Sequence, residues 1–166
     1  MNNENFNKTS SSIADVTKAN KSGYFGIGVF HPKNEINIGT LLRSAQCLGA
    51  SFVFTIGKRY KKQSSDTLNT WKNIPIYNFK DFDDFYEFGL PYSSQLIGIE
   101  LTDSAEPLPS FEHPIRACYL LGAEDHGLAP DVVERCHRVV YIPSSHCFNV
   151  SVSGSIVMYD RIAKNL

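Results

Sequence analysis

The sequence YLLGAEDHGL (residues 119–128), followed by VVYIP (139–143) and FNVSVSG (148–154), decides the fold of this chain. The first two segments are apolar runs of strand character, and each ends in a turn that exposes its backbone. After the third segment, a helix is predicted over Ser151–Lys164. Short loops at adjacent strand ends offer free N–H and C=O groups, so this part of the chain is predicted to hold a polar small molecule edge-on.

Upstream of these segments, strand patterns alternate with helical ones. The predicted strands are Tyr24–Phe30, Ser51–Ile56, Ile74–Tyr77, Gln95–Glu100 and Ala117–Leu121. Apolar residues at helical spacing predict a helix over 38–48, with Asn37 as its N-cap and Gly49 as its stop. A second helix is predicted over Asp81–Phe88 and a helical turn over Asp66–Thr70. This alternation is typical of an α/β fold with a mostly parallel sheet flanked by helices.

Size and composition predict one domain. The chain has 166 residues, of which 42% are hydrophobic, and a formal net charge of −1. Residues 1–22 are polar and aperiodic and are predicted to be a disordered tail, with the domain over 23–166. The near-neutral charge excludes a gross electrostatic attraction to nucleic acid or membrane. Without a long apolar run, a secretion signal or C-x-x-C spacing, the chain is predicted to be cytoplasmic with reduced thiols.

The final helix carries more apolar surface than one contact can bury. Its first stripe consists of Val152, Ile156, Tyr159 and Ala163, and further apolar surface comes from Val157, Met158 and Ile162. A terminal helix with two apolar faces packs against its own sheet and against a partner. We therefore predict a homodimer to which this helix contributes.

Three clusters could carry chemistry on residue type alone. Glu124-Asp125-His126 could form a hydrolytic or metal site, and Cys136-His137 with His146-Cys147 could bind zinc. Adjacent residues of a strand point to opposite faces, so Cys136 and His137 would not share a metal, and we predict no metal site. Past the second strand, Lys58, Arg59, Lys61 and Lys62 surround a tyrosine. They form either a solvated loop or a phosphate-binding patch.

Three segments together resemble the SpoU family of RNA ribose 2′-O-methyltransferases, in the SPOUT class of knotted proteins. NIGTLLRSA (37–45) with Gly49 is similar to the family's Asn-x-Gly…Arg-Thr-Ala…Gly helix. LGAEDHGL (121–128) matches its Gly-x-Glu-x-x-Gly-Leu loop, and residues 142–154 match its Ile-Pro…Leu-Asn-Val-Ser-Val-Ala tail. In this order and at this spacing the motifs are specific, and they cover roughly residues 24–166.

The resemblance implies a C-terminal deep trefoil knot (the SPOUT fold) that binds S-adenosyl-L-methionine between three loops. Transferred by motif, the cofactor-binding positions are Glu100, Leu101, Leu121, Gly122, Ala123, Gly127, Ile142, Pro143 and Cys147. Backbone groups and apolar contacts hold most of such a ligand, which explains the weak side-chain signature.

The resemblance also implies the catalytic residues Asn37, Arg43, Glu124 and Asn149. A ribose hydroxyl is too weak an acid to ionise at neutral pH, so its attack needs a base or a cation that stabilises the forming alkoxide. By helical position alone Arg43 is a solvated arginine. Within the family pattern we assign it to alkoxide stabilisation and leave the proton acceptor open. Asn37 would orient Arg43 or the ribose, Glu124 would pair with a guanidinium, and Asn149 would fix the ribose or its loop.

The chain departs from the family at two points. Cys147 stands where a serine is usual, and the loop from Ile142 to Asn149 is shorter than the common form. We expect an RNA substrate and favour tRNA over rRNA, because the additional N-terminal RNA-binding domain of many rRNA-directed relatives is absent. The alternatives are an rRNA 2′-O-methyltransferase, an inactive knotted RNA-binding protein and, from another class, a small-molecule hydrolase using Glu124 and Asp125.

Overall fold

Parallel strands form the sheet that carries the site. The computed structural model describes residues 23–58 and 73–165. Its strands are Tyr24–Phe30 (β1), Phe52–Ile56 (β2), Ile76–Phe79 (β3), Gln95–Ile99 (β4), Glu106–Pro107 (β5), Arg116–Leu121 (β6) and Arg138–Tyr141 (β7). They lie in the order β3-β2-β1-β6-β4-β7-β5, and every described pairing is parallel. The predicted α/β fold with a mostly parallel sheet is confirmed.

Strand boundaries follow the buried apolar runs. β1 has the predicted bounds, and its five central residues are all buried. β3 lies two residues later than predicted. Pro75 precedes it and has no N–H to donate to the ladder, so the pairing with β2 begins at Ile76. The predicted tail 1–22 and the predicted turn Asp66–Thr70 lie outside the described residues.

Helices cover both faces of the sheet. They are Glu35–Cys47 (α1), Phe82–Asp84 (α2), Pro130–Glu134 (α3) and Val150–Lys164 (α4). The predicted helix Asp81–Phe88 is α2 continued by a π-helical turn over Phe85–Gly89. None of the helices in the described part of the chain is long and apolar enough to cross a bilayer.

The prediction that Asn37 is an N-cap is wrong. α1 begins earlier, and its N-cap is Asn34, whose Oδ1 accepts the N–H of Ile36 at 2.9 Å. Asn37 therefore lies in the first turns of the helix, which leaves its side chain available for other partners. The predicted stop is confirmed in place, since Gly49 just beyond the helix has a φ of 75°.

Two apolar clusters lie on opposite faces of the sheet. α1 and α4 pack together over one face, which includes Ile27, Tyr119 and Leu121. An aromatic cluster covers the other face, where the rings of Phe54 and Phe85 stack with centroids 4.5 Å apart. The strand order changes direction between β1 and β4, so the carboxyl ends of the central strands open onto a crevice suited to ligand binding.

One apolar face of α4 is buried against the sheet, and the other faces outward. Val157 and Met158 are fully buried against the sheet, and Gly154 lies so close to Leu41 of α1 that a Cβ there would overlap its side chain. The predicted first stripe lies on the outer side, where Val152 is 43% and Tyr159 65% exposed. With Ile156 and Ala163, these residues line an open groove that extends to Thr40 of α1.

The described cysteines are free thiols, as predicted. Cys118 is buried in β6, and this burial raises the pKa of its thiol to about 12. Cys47 is exposed at the end of α1 because it lies off the buried stripe of that helix. In the sequence, Cys47 lies in an apolar segment, which favours a buried structural thiol, and this prediction is wrong.

A buried arginine anchors the C-terminal half of α4. Arg161 is 3% exposed, and its guanidinium donates to the carbonyls of Pro114 (2.6 Å) and Ile115 (2.8 Å) and to the hydroxyl of Tyr119 (3.1 Å). It also lies 5.1 Å from the centroid of the Phe25 ring. Truncating such a group would leave several buried acceptors without a donor, which is costly.

The same network includes a buried histidine. His113 Nδ1 lies 2.6 Å from the Tyr119 hydroxyl and Nε2 lies 2.8 Å from an Asp160 oxygen. Because Arg161 donates to the Tyr119 hydroxyl, that hydroxyl is free to donate to Nδ1, and Nε2–H donates to Asp160. Burial lowers the pKa of His113 below its usual value, and the hydrogen bond to Asp160 opposes this shift without overcoming it. The neutral imidazole of His113 therefore makes both hydrogen bonds, accepting from the Tyr119 hydroxyl and donating to Asp160.

This network predicts a loss of stability in mild acid. An unfolded histidine binds a proton near pH 6.5, whereas folded His113 does so only at lower pH. The unfolded state thus binds more protons in that window, and the free energy of unfolding decreases as the pH falls through it. Urea unfolding between about pH 7.5 and about pH 5.5 should show this slope, and His113→Gln should flatten it. Equal slopes for the two proteins would contradict the assignment.

Candidate functional site

Four loops meet at the carboxyl edge of the sheet. They follow β1, β4, β6 and β7, and these strands are neighbours in the order β1-β6-β4-β7. Parallel strands place such loops at one edge, so motif segments that are distant in sequence come together. The loops are residues 31–34, 100–105, 122–128 and 142–149.

The loop after β6 closes on itself. The N–H of Ala123 donates to the carbonyl of Gly127 at 3.1 Å, and the N–H of Gly127 donates back at 3.0 Å. A Cβ on Gly122 would overlap the backbone of Gly127, so this closure requires glycine at position 122. The loop therefore presents Glu124, Asp125 and His126 at its tip in one backbone conformation.

The Glu124 carboxylate is held by the start of α1. Asn37 Nδ2 donates to one oxygen at 2.9 Å, and the backbone N–H of Lys33 donates to the other at 3.2 Å. Burial alone would raise the pKa of Glu124, but hydrogen bonds from Asn37 and from the backbone N–H groups of Glu124, Lys33 and Asn34 outweigh it and lower the pKa. Glu124 is thus ionised at neutral pH. Its partners are an amide and backbone N–H groups, and among the described residues no guanidinium pairs with it.

Asn37 continues this chain of hydrogen bonds to α4. Its Oδ1 accepts from Asn149 Nδ2 at 3.1 Å, and Asn149 Oδ1 accepts from the N–H (2.9 Å) and the hydroxyl (2.7 Å) of Ser151. Asn149 is the N-cap of α4. We call the sequence Glu124–Asn37–Asn149–Ser151 the amide relay. Hydrogen bonds at both ends of each amide in it fix the orientation of that amide. The structure thus brings three of the four predicted catalytic residues together.

The fourth, Arg43, is not part of the amide relay. It follows Asn37 by six residues, about 9 Å along the helix and roughly a third of a turn away from it. Arg43 is exposed and forms no hydrogen bond or ion pair with any residue of the described ranges. Thr40, one turn earlier on the same side of α1, lines the groove beside α4. Arg43 is thus an exposed residue one turn beyond Thr40, and it is not itself one of the residues that line the groove.

The predicted cofactor-binding residues lie at the ends of β4, β6 and β7. Leu101, Pro143 and Cys147 are exposed, whereas Gly122, Ala123, Gly127 and Ile142 are half-buried. Leu121 is buried in the core, so only its backbone can reach a ligand. Glu100 is half-buried, and both of its carboxylate oxygens already accept backbone N–H groups, from Leu101 at 3.0 Å and from Leu128 at 2.8 Å.

These loop ends fit an adenosyl ligand. The backbone N–H groups of Gly122, Cys147 and Phe148 donate to no residue in the described part of the chain. Phe148 is also 45% exposed beside them. Unpaired backbone donors beside apolar surface are what a nucleoside-like molecule needs.

Among the predicted RNA-binding residues, only Lys58 lies in the described part of the chain. It is exposed, and its Nζ donates to the carbonyl of Lys33 at 3.1 Å. Arg59, Lys61 and Lys62 lie outside the described residues. Lys33, which the sequence analysis missed, also forms an ion pair with Asp125 through its side chain. In the sequence, Lys33 is a lysine followed by an asparagine just before a helix. This pattern is not specific enough to have identified Lys33 as a site residue.

The residues considered for zinc have other partners. Cys136 Sγ donates to the carbonyl of Val132 at 3.3 Å, and His137 Nδ1 accepts the N–H of Leu96 at 3.1 Å. His146 Nδ1 lies 3.1 Å from the Ser145 hydroxyl. The described residues contain no group of three metal-ligating side chains.

Comparison with known proteins adds family and fold. The sequence model of the SpoU rRNA Methylase family matches residues 25–159 of this chain. The 23S rRNA (guanosine-2′-O-)-methyltransferase RlmB of Acinetobacter baylyi is 31% identical over 75 residues, which cover 43% of this chain and 30% of that protein. The chain thus spans less than a third of that curated relative.

Solved structures share the fold at low identity. The AdoMet-bound rRNA methyltransferase of Sinorhizobium meliloti superposes with a TM-score of 0.79 at 18% identity, covering 91% of this chain and 60% of that one. The TrmH/SpoU tRNA modifying enzyme of A. aeolicus superposes with a TM-score of 0.75 at 18% identity, covering 93% and 83%.

The amide relay predicts an unequal cost for the same substitution at two asparagines. In Asn37→Asp a carboxylate would face Glu124 and the donor to Glu124 would be lost, so we expect about 1–3 kcal/mol of destabilisation at pH 7. In Asn34→Asp the side chain only accepts an N–H, which a carboxylate does equally well, so we expect little change. Urea unfolding measures both, and equal effects would contradict the relay.

Proposed function

Because the chain belongs to the SpoU rRNA Methylase family, we propose that it is an S-adenosyl-L-methionine-dependent methyltransferase that modifies a ribose 2′-hydroxyl of structured RNA. The observation that carries this proposal is the amide relay. It ties the three motif segments together at the carboxyl edge of the sheet, through contacts between residues 87 and 112 positions apart. A hydrolase using Glu124 and Asp125 is disfavoured, because both carboxylates are engaged by Asn37 and Lys33.

The chain's own residues divide the work as follows. Arg43 offers a permanently charged guanidinium without a described partner, suited to stabilise a forming alkoxide or to bind the adjacent phosphate. Asn37 and Asn149 orient one another and hold the start of α4, and the ionised Glu124 fixes Asn37. The proton of the ribose hydroxyl leaves to an acceptor that the proposal does not name.

The cofactor site is proposed for the loops after β4, β6 and β7. Bound there, S-adenosyl-L-methionine supplies a methyl group carried on a sulfonium sulfur. The unpaired backbone donors of Gly122 and Cys147 and the exposed side chains of Leu101 and Phe148 suit its adenosyl part. A deep trefoil knot in the C-terminal part belongs to the same proposal. It is supported by the fold shared with SpoU structures and by the position of β4 between β6 and β7.

For the RNA we propose tRNA first and rRNA second. The tRNA modifying enzyme of A. aeolicus superposes over 93% of this chain, which agrees with the first, and the rRNA methyltransferase of S. meliloti superposes over 91%, which agrees with the second. The sequence similarity to RlmB, a 23S rRNA enzyme, supports the second. Exposed Lys58, together with Arg59, Lys61 and Lys62, is the proposed phosphate-binding loop. A cytoplasmic location is part of the proposal.

We further propose that the working form is a homodimer joined through α4. The groove beside α4 has a volume of about 440 Å³ and is lined mostly by apolar groups, including the exposed Val152 and Tyr159. A second copy offers the same helix face, so the contact is self-complementary about a twofold axis. Such a contact would bring Thr40 of α1, one turn before Arg43, close to the partner.

The function is tested with cofactor labelled in its methyl group. Purified protein is incubated with bulk tRNA and with rRNA, and digests are searched by mass spectrometry for a new 2′-O-methyl nucleoside. We expect the label in one nucleoside of tRNA. Label only in rRNA selects the second candidate, and calorimetric binding of the demethylated cofactor without label in any RNA would indicate an inactive RNA-binding protein. Absence of any cofactor binding would overturn the proposal.

Arg43→Ala should separate binding from chemistry. The variant is expected to fold and bind cofactor like the wild type, since Arg43 has no partner in the described structure, but to lose at least about 100-fold in methyl transfer. Arg43→Lys keeps the charge without the planar donors and should lie between the two. Methyl transfer at the wild-type rate in Arg43→Ala would remove Arg43 from the mechanism.

The dimer proposal predicts different effects of the same charge at two exposed tyrosines. Tyr159 is 65% exposed in the groove, and Tyr92 is 97% exposed away from it. Tyr159→Glu places a charge at the proposed contact and should yield monomers by light scattering at micromolar concentration. Tyr92→Glu should remain dimeric. A monomeric wild type, or a Tyr159→Glu protein that stays dimeric, would count against this interface.

A further inference from the structure

Glu100 lies where three of the site loops meet. It follows β4 directly, and its backbone N–H donates to the carbonyl of Val140 in β7 at 3.1 Å. Its carboxylate reaches in the other direction, where Oε2 accepts the N–H of Leu128 at 2.8 Å. Oε1 accepts the N–H of Leu101 at 3.0 Å. One residue therefore links the ends of β4 and β7 to the loop that follows β6.

The loop after β6 is shaped to receive this carboxylate. Gly127 has a φ of 64°, and a Cβ at this position would overlap Oε2 of Glu100. Glycine is thus required twice over, by the left-handed backbone and by the approach of the carboxylate. The bond from Leu128 to Glu100 is also the one hydrogen bond, among the described residues, that joins the 122–128 loop to the loop after β4.

The carboxylate cannot leave this position without cost. Leu128 is 6% exposed, so its N–H would be left without a partner in a buried environment if Glu100 turned towards a ligand. Hydrogen bonds to an ionised acceptor are also stronger than those between neutral groups. A direct contact between the Glu100 carboxylate and the cofactor would therefore break the hydrogen bonds that hold its oxygens, whereas a backbone contact at this transferred cofactor-binding position would not.

We propose that Glu100 is a positioning residue whose carboxylate holds the Gly122–Leu128 loop in the shape that accepts the adenosyl group, and that it does not bind the ribose hydroxyls of the cofactor. The inference rests on the proposed function for the identity of the ligand. The loop is fixed at three places: at Leu121 by the sheet, at Glu124 by Asn37 and Lys33, and at Leu128 by Glu100. Removing the third leaves the end of the loop next to α3 untethered.

Ligand binding distinguishes positioning from direct contact. By calorimetry, Glu100→Ala is expected to weaken the binding of S-adenosylhomocysteine about tenfold, the loss of roughly one charge-assisted hydrogen bond. The 2′,3′-dideoxyribose analogue of that ligand should be weakened by the same factor, because no ribose hydroxyl takes part. Glu100→Gln retains one carbonyl acceptor and should show a smaller loss. An effect of Glu100→Ala that vanishes with the dideoxy analogue, or no effect with either ligand, overturns the inference.

Hydrogen exchange in the ligand-free protein tests the tether itself. In Glu100→Ala the amide of Leu128 should exchange faster than in the wild type. The amide of Leu96, which donates to His137 in the same sheet, should be unchanged and reports on global stability. Equal Leu128 exchange in the two proteins overturns the inference whatever the ligand does. Failure of the wild type to bind S-adenosylhomocysteine would instead refute the proposed function.

Discussion

The hydrogen bond from Asn37 to Glu124 is the contact on which the candidate site depends. It joins the first turns of α1 to the loop after β6, across 87 residues of sequence. Because an amide has one donor end and one acceptor end, engaging the donor end on Glu124 turns the acceptor end towards Asn149. Asn149 in turn caps α4. The ionised carboxylate thus sets the orientation of both amides and the start of the last helix.

Acidic side chains here act mainly as acceptors that shape loops. Glu124 and Glu100 each hold backbone N–H groups, and Asp125 pairs with Lys33. Glu124 and Asp125, whose pKa values are lowered by such contacts, are poor candidates for a general base, because protonating either one would weaken those contacts. Arg43 differs from these acids in having no described partner. Among the motif residues it is therefore the charged group left available for a substrate.

The elements that were predictable from sequence are those specified by local pattern. Buried apolar runs located β1 and β6 to within one residue, and Gly49 marked the end of α1. Asn37 was misassigned as a cap because its actual partners lie 87 and 112 residues away, and no local pattern encodes them. The burial of Arg161 was likewise missed, since its acceptors are carbonyls about 46 residues upstream.

The last helix connects the site to the proposed dimer contact. Asn149 ties its first turn to the amide relay, while Arg161 and Asp160 tie its last turns to the 108–116 segment. A rigid element held at both ends transmits a displacement rather than absorbing it. Pressure from a partner on Tyr159 would therefore reach Asn149, which lies about 15 Å away along the axis, and Val152 lies only about 4.5 Å from it. In the proposed dimer, the outer face of α4 would thus keep the amide of Asn149 in register with Asn37.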